Sequence, residues 1–281
     1  MNLYQFKFLI INMKYKSLGI IEQPNLFGLY FNEYCKDSFL NLNVENYIFS
    51  YPKSGRTWLY EVLKQYSNEL DSNNFLNNRK MIKCDNKFIK FVHDCSDPNP
   101  YPTKSTNLKL KIKNLNKKKK IILLRDPREV IVSFWHQMKF REKTYSGNIT
   151  EFIDDEYFGI KKIISFYNLL NLKIISNFKI VTYKNLIENT VKEIEQIVSF
   201  LNLKIDKNLI KKCVNDCQFE KLQAKEIVLY KNKNKKSMKF RKGISNDFRN
   251  NLDKHNLLKI NNEIKNKLNY KYKKILNLKD I

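Results

Sequence analysis

Short apolar runs alternate with helical patterns along this chain. Four runs rich in Ile, Val, Phe or Tyr have the length and composition of buried strands. They are Tyr47–Tyr51, Phe88–Val92, Ile121–Leu124 and Lys179–Thr182. Apolar residues at helical spacing follow three of these runs, over Trp58–Tyr66, Val130–Met138 and Leu186–Leu201. This alternation predicts an α/β fold with right-handed crossovers, in which helices cover both faces of a central parallel sheet.

The length of the chain and the absence of a linker-like stretch in its sequence predict one domain. The 281 residues fall within the range of a single large α/β domain, and no repeat or Pro/Gly/Ser-rich linker divides them. We therefore predict a single domain over residues 1–281, with the motif-bearing core at about 45–250 and a basic helical segment at 251–281. The C-terminal stretch from Phe248 to Asn277 is expected to form one or two amphipathic, Lys-rich helices.

The charge balance is strongly basic, with 53 Lys and Arg residues against 28 Asp and Glu residues, a net charge of +25. Such a charge attracts any polyanion and does not choose among nucleic acid, membrane and small anionic ligands. The Lys excess accompanies Asn and Ile, which is typical of biased codon composition, so much of it is interpreted as a solvated surface. No binding module or basic surface interleaved with aromatics is evident. We predict no specific nucleic-acid partner.

Cysteine usage and the N-terminal segment indicate a cytoplasmic protein without a transmembrane segment. The five cysteines are an odd number without the paired spacing of a zinc site, and they are Cys35, Cys84, Cys95, Cys213 and Cys217. Cys213 and Cys217 are expected to be structural thiols rather than metal ligands. The apolar stretch Leu3–Met13 is short, is interrupted by Lys7 and has no small-residue cleavage site, so it predicts neither a signal peptide nor a membrane span.

The first strand runs through a short loop directly into a helix. The junction reads Tyr51-Pro52-Lys53-Ser54-Gly55-Arg56-Thr57-Trp58. A glycine at the bend and a helix N-terminus present backbone N–H groups and a positive dipole end to an anion. Lys53 adds a full charge, and Ser54 and Thr57 add hydroxyl donors. The pattern predicts a cradle for phosphate or sulfate, although the GxxxxGK[ST] signature of nucleoside-triphosphate loops is absent.

This junction, PKSGRTWL, resembles the 5′-phosphosulfate loop of sulfotransferases that use 3′-phosphoadenosine 5′-phosphosulfate (PAPS), whose usual form is PKSGTTW. The resemblance implies a P-loop-like phosphosulfate-binding loop in which Ser54, Gly55, Arg56 and Thr57 surround the donor. It implies that Lys53 contacts the oxygen between phosphate and sulfonate, where an ammonium neutralises the leaving phosphate. It also implies that the indole of Trp58 stacks on adenine. The alternative, Trp58 as a core aromatic of the helix, stays open.

The third strand ends in a second segment of the same kind. Arg125-Asp126-Pro127, with Ser133 eight residues after Arg125, is similar to the family's RxPxxxxxS signature. The resemblance implies that Arg125 and Ser133 bind the 3′-phosphate of the donor. Pro127 suits the first position of a helix, so a helix is expected to begin directly after the strand.

A third segment lies late in the chain. Phe240-Arg241-Lys242-Gly243, followed by Asn246-Asp247-Phe248, resembles the family's RKGxxGDW. The resemblance implies that Arg241, Lys242 and the backbone of Gly243 close over the same 3′-phosphate. Asn246 and Phe248 replace the usual Gly and Trp. Without the other motifs, this segment would be read as one more basic stretch.

Two aromatic residues complete the expected nucleotide site. Tyr183 ends the fourth strand and matches the Tyr of the family's YEDL-like segments, which touches the adenine. Phe219 takes the place of the Phe in the family's Thr-Ser-Phe, which packs against the purine, although Cys217 departs from that pattern. The resemblance therefore spans residues 47 to 250.

Sulfonate transfer needs a base near neutral pKa, and histidine is the natural choice. His93 follows the second strand, at the sheet edge where α/β folds bind ligands, and it matches the family's catalytic histidine. Phe91 and Val92 stand where the family has Lys and Thr. His136, on the helix after Arg125, is the second candidate, and His255 is expected at the surface.

The resemblance implies a sulfotransferase that moves a sulfonate group from PAPS to a hydroxyl or amine acceptor by in-line transfer, without a metal. A nucleotide-dependent kinase, a basic nucleic-acid-binding protein and a fold that binds nucleotide without catalysis remain alternatives. The acceptor, a small molecule, saccharide or lipid, would be read by two segments expected to be loops, Asp94–Lys119 and Phe140–Phe158. Lys231–Lys239 is a third predicted loop. Monomer and homodimer both stay open.

Overall fold

A five-stranded sheet forms the centre of the fold in the computed structural model of the chain. Its strands in chain order are β1 Asn46–Ser50, β2 Met81–Cys84, β3 Lys87–Val92, β4 Lys119–Leu124 and β5 Phe178–Thr182. In space the order is β2-β3-β1-β4-β5, in which β3, β1, β4 and β5 run parallel and β2 runs antiparallel to β3. The structure describes residues 44–70, 81–92, 117–156, 158–170, 176–229, 238, 240, 243 and 247–278.

The four predicted strands are confirmed, with boundaries that move by two residues at most. The edge strand β2 was not predicted, and it adds one antiparallel strand to the predicted parallel sheet. β2 joins β3 through the two-residue turn Asp85-Asn86, whose φ angles are 49° and 57°. Two consecutive positive φ angles are typical of the hairpin turn that matches strand twist, and Asp and Asn tolerate that conformation best among residues with a side chain.

Helices surround the sheet. They are α1 Arg56–Leu70, α2 Pro127–His136, α3 Ile149–Asp154, α4 Ile160–Leu169, α5 Tyr183–Glu188, α6 Thr190–Phe200, α7 Lys207–Asp216, α8 Phe219–Leu229, α9 Lys254–Lys267 and α10 Tyr270–Ile275. A π-helical turn, Gln137–Arg141, extends α2, and a 3₁₀ turn covers Asp247–Asn250. The three predicted helical patterns and the two C-terminal helices are confirmed. The apolar stripe Leu186–Leu201 is divided between α5 and α6 at Asn189.

The core has two halves, one on each face of the sheet, as predicted for a sheet covered on both sides. Alternate residues of β1 point to opposite faces, so Tyr47 and Phe49 pack with α2, α4 and α9, while Ile48 packs with α1, α6 and α7. β1 is buried along its whole length. This full burial is typical of the central strand of a parallel sheet.

Three predicted loops have different outcomes. Lys119 is the first residue of β4 rather than the end of a loop, and residues 94–116 lie outside the described residues. Phe140–Phe158 includes the helix α3, whose start is fixed by a capping box between Asn148 and Glu151. Of Lys231–Lys239, only Met238 is described. Within the described part of the chain, no helix is long and apolar enough to cross a membrane.

Candidate active site

The carboxyl ends of β1, β4 and β5 lie side by side, because these three strands are parallel neighbours. The loop before α1 follows β1, Arg125 follows β4, and Tyr183 follows β5. The sheet therefore brings three sequence-distant predicted segments to one edge, which is where open α/β sheets bind ligands.

The loop between β1 and α1 is tightly bent. Lys53 has a φ of 70° and Gly55 a φ of 96°, and the Ser54 N–H donates to the Tyr51 carbonyl at 3.3 Å. A Cβ on Gly55 would lie 2.6 Å from Cδ2 of Tyr183. Only glycine fits this position, because a side chain would meet both an unfavourable backbone conformation and the aromatic ring.

Ser54 lies at the centre of this loop and is completely buried. Arg56 and Thr57 follow it in the first turn of α1, and both are half-buried. This turn leaves backbone N–H groups at the helix start and adds their dipole to the charge of Lys53. The loop therefore has the donors and the charge that an anion needs.

Arg125 joins all three segments. Its Nη1 donates to the Lys53 carbonyl at 2.9 Å, and its Nε donates to Glu129 Oε2 at 2.7 Å. Its Cζ lies 3.9 Å from the centre of the Tyr183 ring, which is cation–π contact. Arg125 and Tyr183 were predicted from the sequence, whereas Glu129 was not. The missed signal is the i,i+4 spacing of Arg125 and Glu129 across the start of α2.

Tyr167, from α4, hydrogen-bonds the backbone of Arg125. Its hydroxyl donates to the Arg125 carbonyl at 2.7 Å and accepts from the Arg125 N–H at 3.3 Å. Tyr167 is fully buried, and this burial raises the pKa of its phenol well above the ordinary value. The hydroxyl therefore stays protonated and acts as a structural donor. Tyr167 was not predicted as a site residue, because an aromatic residue on an amphipathic helix is normally a core residue.

A second group of aromatic contacts lies beside α1. The indole of Trp58 donates from Nε1 to the Cys217 carbonyl at 2.9 Å, just before α8. Two residues later, the Phe219 ring lies against Gly243, where a Cβ would be 2.5 Å from Cδ2 of Phe219. Gly243 has a φ of 64°, so the position favours glycine on both grounds. Trp58 and Gly243, predicted from separate motifs, thus contact the two ends of the short segment Cys217-Gln218-Phe219.

Helix α8 also holds Phe240. The Gln223 amide donates to the Phe240 carbonyl at 2.9 Å, and the Phe240 N–H donates to Glu226 at 3.1 Å. The Phe240 and Phe219 rings are 5.9 Å apart in an edge-to-face arrangement. These contacts place the residue before Arg241 beside Phe219. Arg241 and Lys242 themselves lie outside the described residues.

The start of α2 contacts Phe248, the last residue of the third predicted segment. Asp126 caps the helix by accepting from the Arg128 N–H at 2.8 Å, with the predicted Pro127 at the first helical position. The Arg128 guanidinium pairs with Asp126 at 2.7 Å and lies 4.5 Å from the centre of the Phe248 ring. Burial raises the pKa of Asp126 and the Arg128 charge lowers it, with burial the stronger effect.

The histidines have different placements. His93 lies outside the described residues, directly after β3. His136 ends α2, where its Nε2 is 3.2 Å from Oδ1 of Asn251 and its ring contacts the rings of Trp135 and Phe140. His255 is exposed on α9, as expected. Ser133 is half-buried one turn before the end of α2.

The described cysteines are structural. Cys84, Cys213 and Cys217 are buried and unbridged, and burial raises the pKa of Cys213 to about 12 and that of Cys217 to about 11. In the parts of the chain that the structure describes, no cluster of His, Cys, Asp and Glu has the arrangement of a metal site.

Comparison with known families decides what this arrangement belongs to. Residues 46–272 match the model of the sulfotransferase domain, which covers most of the chain and all the segments described above. The chain belongs to the sulfotransferase family. It is therefore an enzyme of sulfonate transfer, and the resemblance inferred from its motifs is confirmed.

Two human relatives of this sulfotransferase are distant in sequence. Sulfotransferase 2A1 is 24% identical over 241 residues, an alignment covering 76% of this chain and 81% of the relative. Sulfotransferase 2B1 is 26% identical over 195 residues, covering 66% of this chain and 53% of the relative. Identity at this level leaves substrate preference open.

Solved structures share the fold of this sulfotransferase. The mouse sulfotransferase SULT7A1 complexed with PAP superimposes with a TM-score of 0.59 at 19% identity, covering 86% of this chain and 90% of the other. Retinol dehydratase, in complex with androsterone and the inactive cofactor PAP, gives 0.58 at 17% identity, with 85% and 86% covered. These likenesses confirm the α/β architecture.

Proposed function

We propose that this sulfotransferase takes its sulfonate group from PAPS and transfers it to a hydroxyl or amine of a small-molecule acceptor, with His93 as the general base. The observation that carries the proposal is the set of contacts around Arg125. One guanidinium contacts the Lys53 loop, Tyr183 and Glu129 at the edge where three parallel strands end. A cation held between a phosphate-binding loop and an aromatic ring suits a nucleotide that carries two separate phosphates.

The described residues fit the two ends of such a donor. At one end, Lys53, the buried Ser54 hydroxyl and the first turn of α1 offer charge and donors to the 5′-phosphosulfate. At the other end, Arg125 and Ser133 would hold the 3′-phosphate. The Tyr183 ring approaches the backbone at Gly55, and the Phe219 ring approaches the backbone at Gly243. Because glycine has no side chain, both backbone segments can lie close to these rings. Trp58, Tyr183 and Phe219 supply aromatic surface for adenine.

The chemistry divides among a few side chains. PAPS, when bound, supplies a sulfonate joined to a phosphate that leaves as the acceptor attacks. The Lys53 ammonium would neutralise the charge that develops on this leaving phosphate. His93, the residue that follows β3 in the sequence, would accept the acceptor's proton. Positioning and electrostatics then supply most of the acceleration, as in phosphoryl transfer.

Several observations on relatives support the donor and the acceptor class. The mouse sulfotransferase SULT7A1 is complexed with PAP, and retinol dehydratase is in complex with androsterone and the inactive cofactor PAP. We extend the nucleotide and the small-molecule class to this chain and leave saccharide and lipid acceptors as outcomes of substrate screening. The segments Asp94–Lys119 and Phe140–Phe158 would read the acceptor. A cytoplasmic location is supported by the three buried, unbridged thiols.

Calorimetric titration tests the donor. The protein is titrated with 3′-phosphoadenosine 5′-phosphate (PAP), AMP and ATP, each with and without Mg²⁺. We expect tight binding of PAP that needs no metal and is at least about tenfold stronger than binding of AMP. Arg125→Ala should abolish this preference, and Lys53→Ala should weaken binding. Lys192→Ala, which removes an exposed cation from α6, is the matched control. A preference for Mg·ATP, or equal binding of PAP and AMP, contradicts the proposal.

A second experiment tests the base and the kinase alternative. PAP release from PAPS is followed with a panel of phenol, alcohol and amine acceptors, in the presence of EDTA. We expect activity to survive the chelator, since Lys53 and the helix start take the role that Mg²⁺ has in kinases. His93→Ala should lower kcat by at least about a hundredfold, while the exposed His255→Ala should not. If His136→Ala abolishes activity and His93→Ala retains it, the assigned base is wrong.

A further inference from the structure

Arg125 has an ion pair that binding a phosphate does not itself require. The Arg125 Nε and Glu129 Oε2 are 2.7 Å apart, and the two side chains are only 11% and 4% exposed. A buried carboxylate beside a phosphate-binding arginine reduces the positive charge offered to the anion. Glu129 must therefore contribute something other than attraction.

The contacts of the guanidinium suggest what that contribution is. Its Nε–H goes to Glu129, one Nη1–H goes to the Lys53 carbonyl, and its face lies on the Tyr183 ring. A guanidinium has five N–H donors. Three of them, including both on Nη2, are not used by these contacts. An oxyanion could therefore take a two-pronged hydrogen bond from Nη1 and Nη2 without displacing Glu129 or Lys53.

The Lys53 carbonyl is an unusual partner for this arginine. Lys53 has a φ of 70°, a conformation that is unfavourable for a residue with a Cβ. Arg125 binds the carbonyl of this strained residue across 72 positions of sequence. The conformation of the Lys53 backbone, and with it the start of its side chain, therefore depends on where the Arg125 guanidinium is held.

We propose that Glu129 is a positioning residue, which fixes Arg125 so that one guanidinium holds both the 3′-phosphate of the nucleotide and the backbone of Lys53. Recognition of the 3′-phosphate is thereby tied to the placement of the lysine that stabilises the leaving phosphate. The inference rests on the proposed function, because it takes PAPS as the donor. It adds that a nucleotide without a 3′-phosphate loses rate as well as affinity.

The test compares three variants of Glu129 by two measurements. Glu129→Ala removes the anchor, Glu129→Asp withdraws the carboxylate by one methylene, and Glu129→Gln keeps an oxygen that accepts from Nε. The first measurement is the ratio of PAP to AMP affinity by calorimetry. The second is the rate at which saturating PAPS is hydrolysed to PAP and sulfate, a reaction that needs no identified acceptor.

We expect Glu129→Ala to lower the PAP/AMP affinity ratio about tenfold, mainly by weakening PAP. The hydrolysis rate at saturating PAPS should fall at least about fivefold, since the Lys53 backbone is released. Glu129→Asp should move both quantities in the same direction, and it covers the case in which Glu129→Ala does not fold. Glu129→Gln should restore both to within about threefold of the wild type.

Glu193→Ala is the matched control, since Glu193 is also a buried carboxylate paired with a cation, Lys179 at 3.7 Å. It should cost stability and leave the affinity ratio unchanged. An unchanged ratio in Glu129→Ala and Glu129→Asp overturns the inference, and so does a lower ratio with an unchanged saturated rate. A wild type that does not prefer PAP to AMP overturns the proposed function itself, which keeps the two failures distinct.

Discussion

Phe219 and Gly243 are packed so closely that a methyl group on residue 243 would lie 2.5 Å from the Phe219 ring. Gly243 also has a positive φ, at 64°. Gly243→Ala should therefore push the backbone at residue 243 away from the Phe219 ring of α8. We expect PAP affinity to fall at least about tenfold, measured by calorimetry, with a stability cost of about 1–2 kcal/mol from the backbone conformation.

A double-mutant cycle separates the clash from the backbone effect. Phe219→Ala removes the ring, so adding Gly243→Ala to it should cost clearly less PAP affinity than adding it to the wild type. The coupling should be about 1 kcal/mol or more. Strictly additive losses would show that the ring does not hold this segment, and the contact would then have no part in nucleotide binding.

Trp58 provides an optical probe of the nucleotide site. The chain has two tryptophans, so Trp135→Phe leaves Trp58 as the sole indole. If adenine stacks on Trp58, its emission should change on addition of PAP, with the same midpoint as calorimetry. Unchanged emission at saturating PAP would assign Trp58 to the core alone. Trp58→Phe should also cost about 1 kcal/mol of stability, because the Cys217 carbonyl loses its donor.

Lys120 should make stability depend on pH in a defined window. It is 1% exposed in β4, and burial lowers the pKa of its ammonium from 10.5 to about 8. Between these values the unfolded chain binds a proton that the folded chain does not, so stability due to this group rises with pH. Lys120→Met should therefore stabilise the protein by about 1–3 kcal/mol at pH 7, less the hydrogen bond to the Lys118 carbonyl.

Denaturant unfolding from pH 7 to 11 measures this effect. The advantage of Lys120→Met should be full below pH 8 and should disappear as the pH approaches 10.5. Lys117→Met removes an exposed lysine three residues earlier and should change stability by less than about 0.5 kcal/mol at every pH. A constant difference between wild type and Lys120→Met across the range would contradict the assigned titration.

Cys213 and Cys217 should resist thiol reagents in the native state. With pKa values of about 12 and 11, only about one thiol in a thousand or fewer is ionised at pH 8, and both are buried. Maleimide labelling followed by peptide mass spectrometry should leave them unmodified while native and modify them in denaturant. Rapid native labelling of Cys217 would mean that the contact between Trp58 and its carbonyl opens readily.

Local signals were sufficient to predict the parallel part of the sheet. β1 and β4 contain the apolar runs Tyr47–Phe49 and Ile121–Leu124, each followed by a helix start, and the buried environment of both strands agrees with that pattern. β2 was missed because four residues with alternating burial are too short for a periodicity argument. The turn Asp85-Asn86 was its one available signal, since it joins two short strands as a hairpin turn does.

For the candidate site, the residues that could be predicted from the sequence were those in motifs at strand ends. Lys53, Arg125 and Tyr183 were found because each belongs to a motif at a strand end, and adjacent parallel strands brought them together. Glu129 and Tyr167 act through Arg125, and neither belongs to the motif residues expected to touch the donor. Their positions follow from how α2 and α4 pack, which depends on contacts between residues far apart in sequence. The roles of these residues in binding the donor stay predictions, as do those of His93, Arg241 and Lys242.

The sheet order also has a consequence for synthesis. Arg125 reaches back 72 positions to Lys53, and Tyr183 joins them only after β5 has been added beside β4. A ribosome that has released fewer than about 183 residues has therefore produced strands and helices but no assembled nucleotide cradle. A donor bound by these residues would not help to nucleate folding of the emerging chain, and it would stabilise the protein only after Tyr183 has been made.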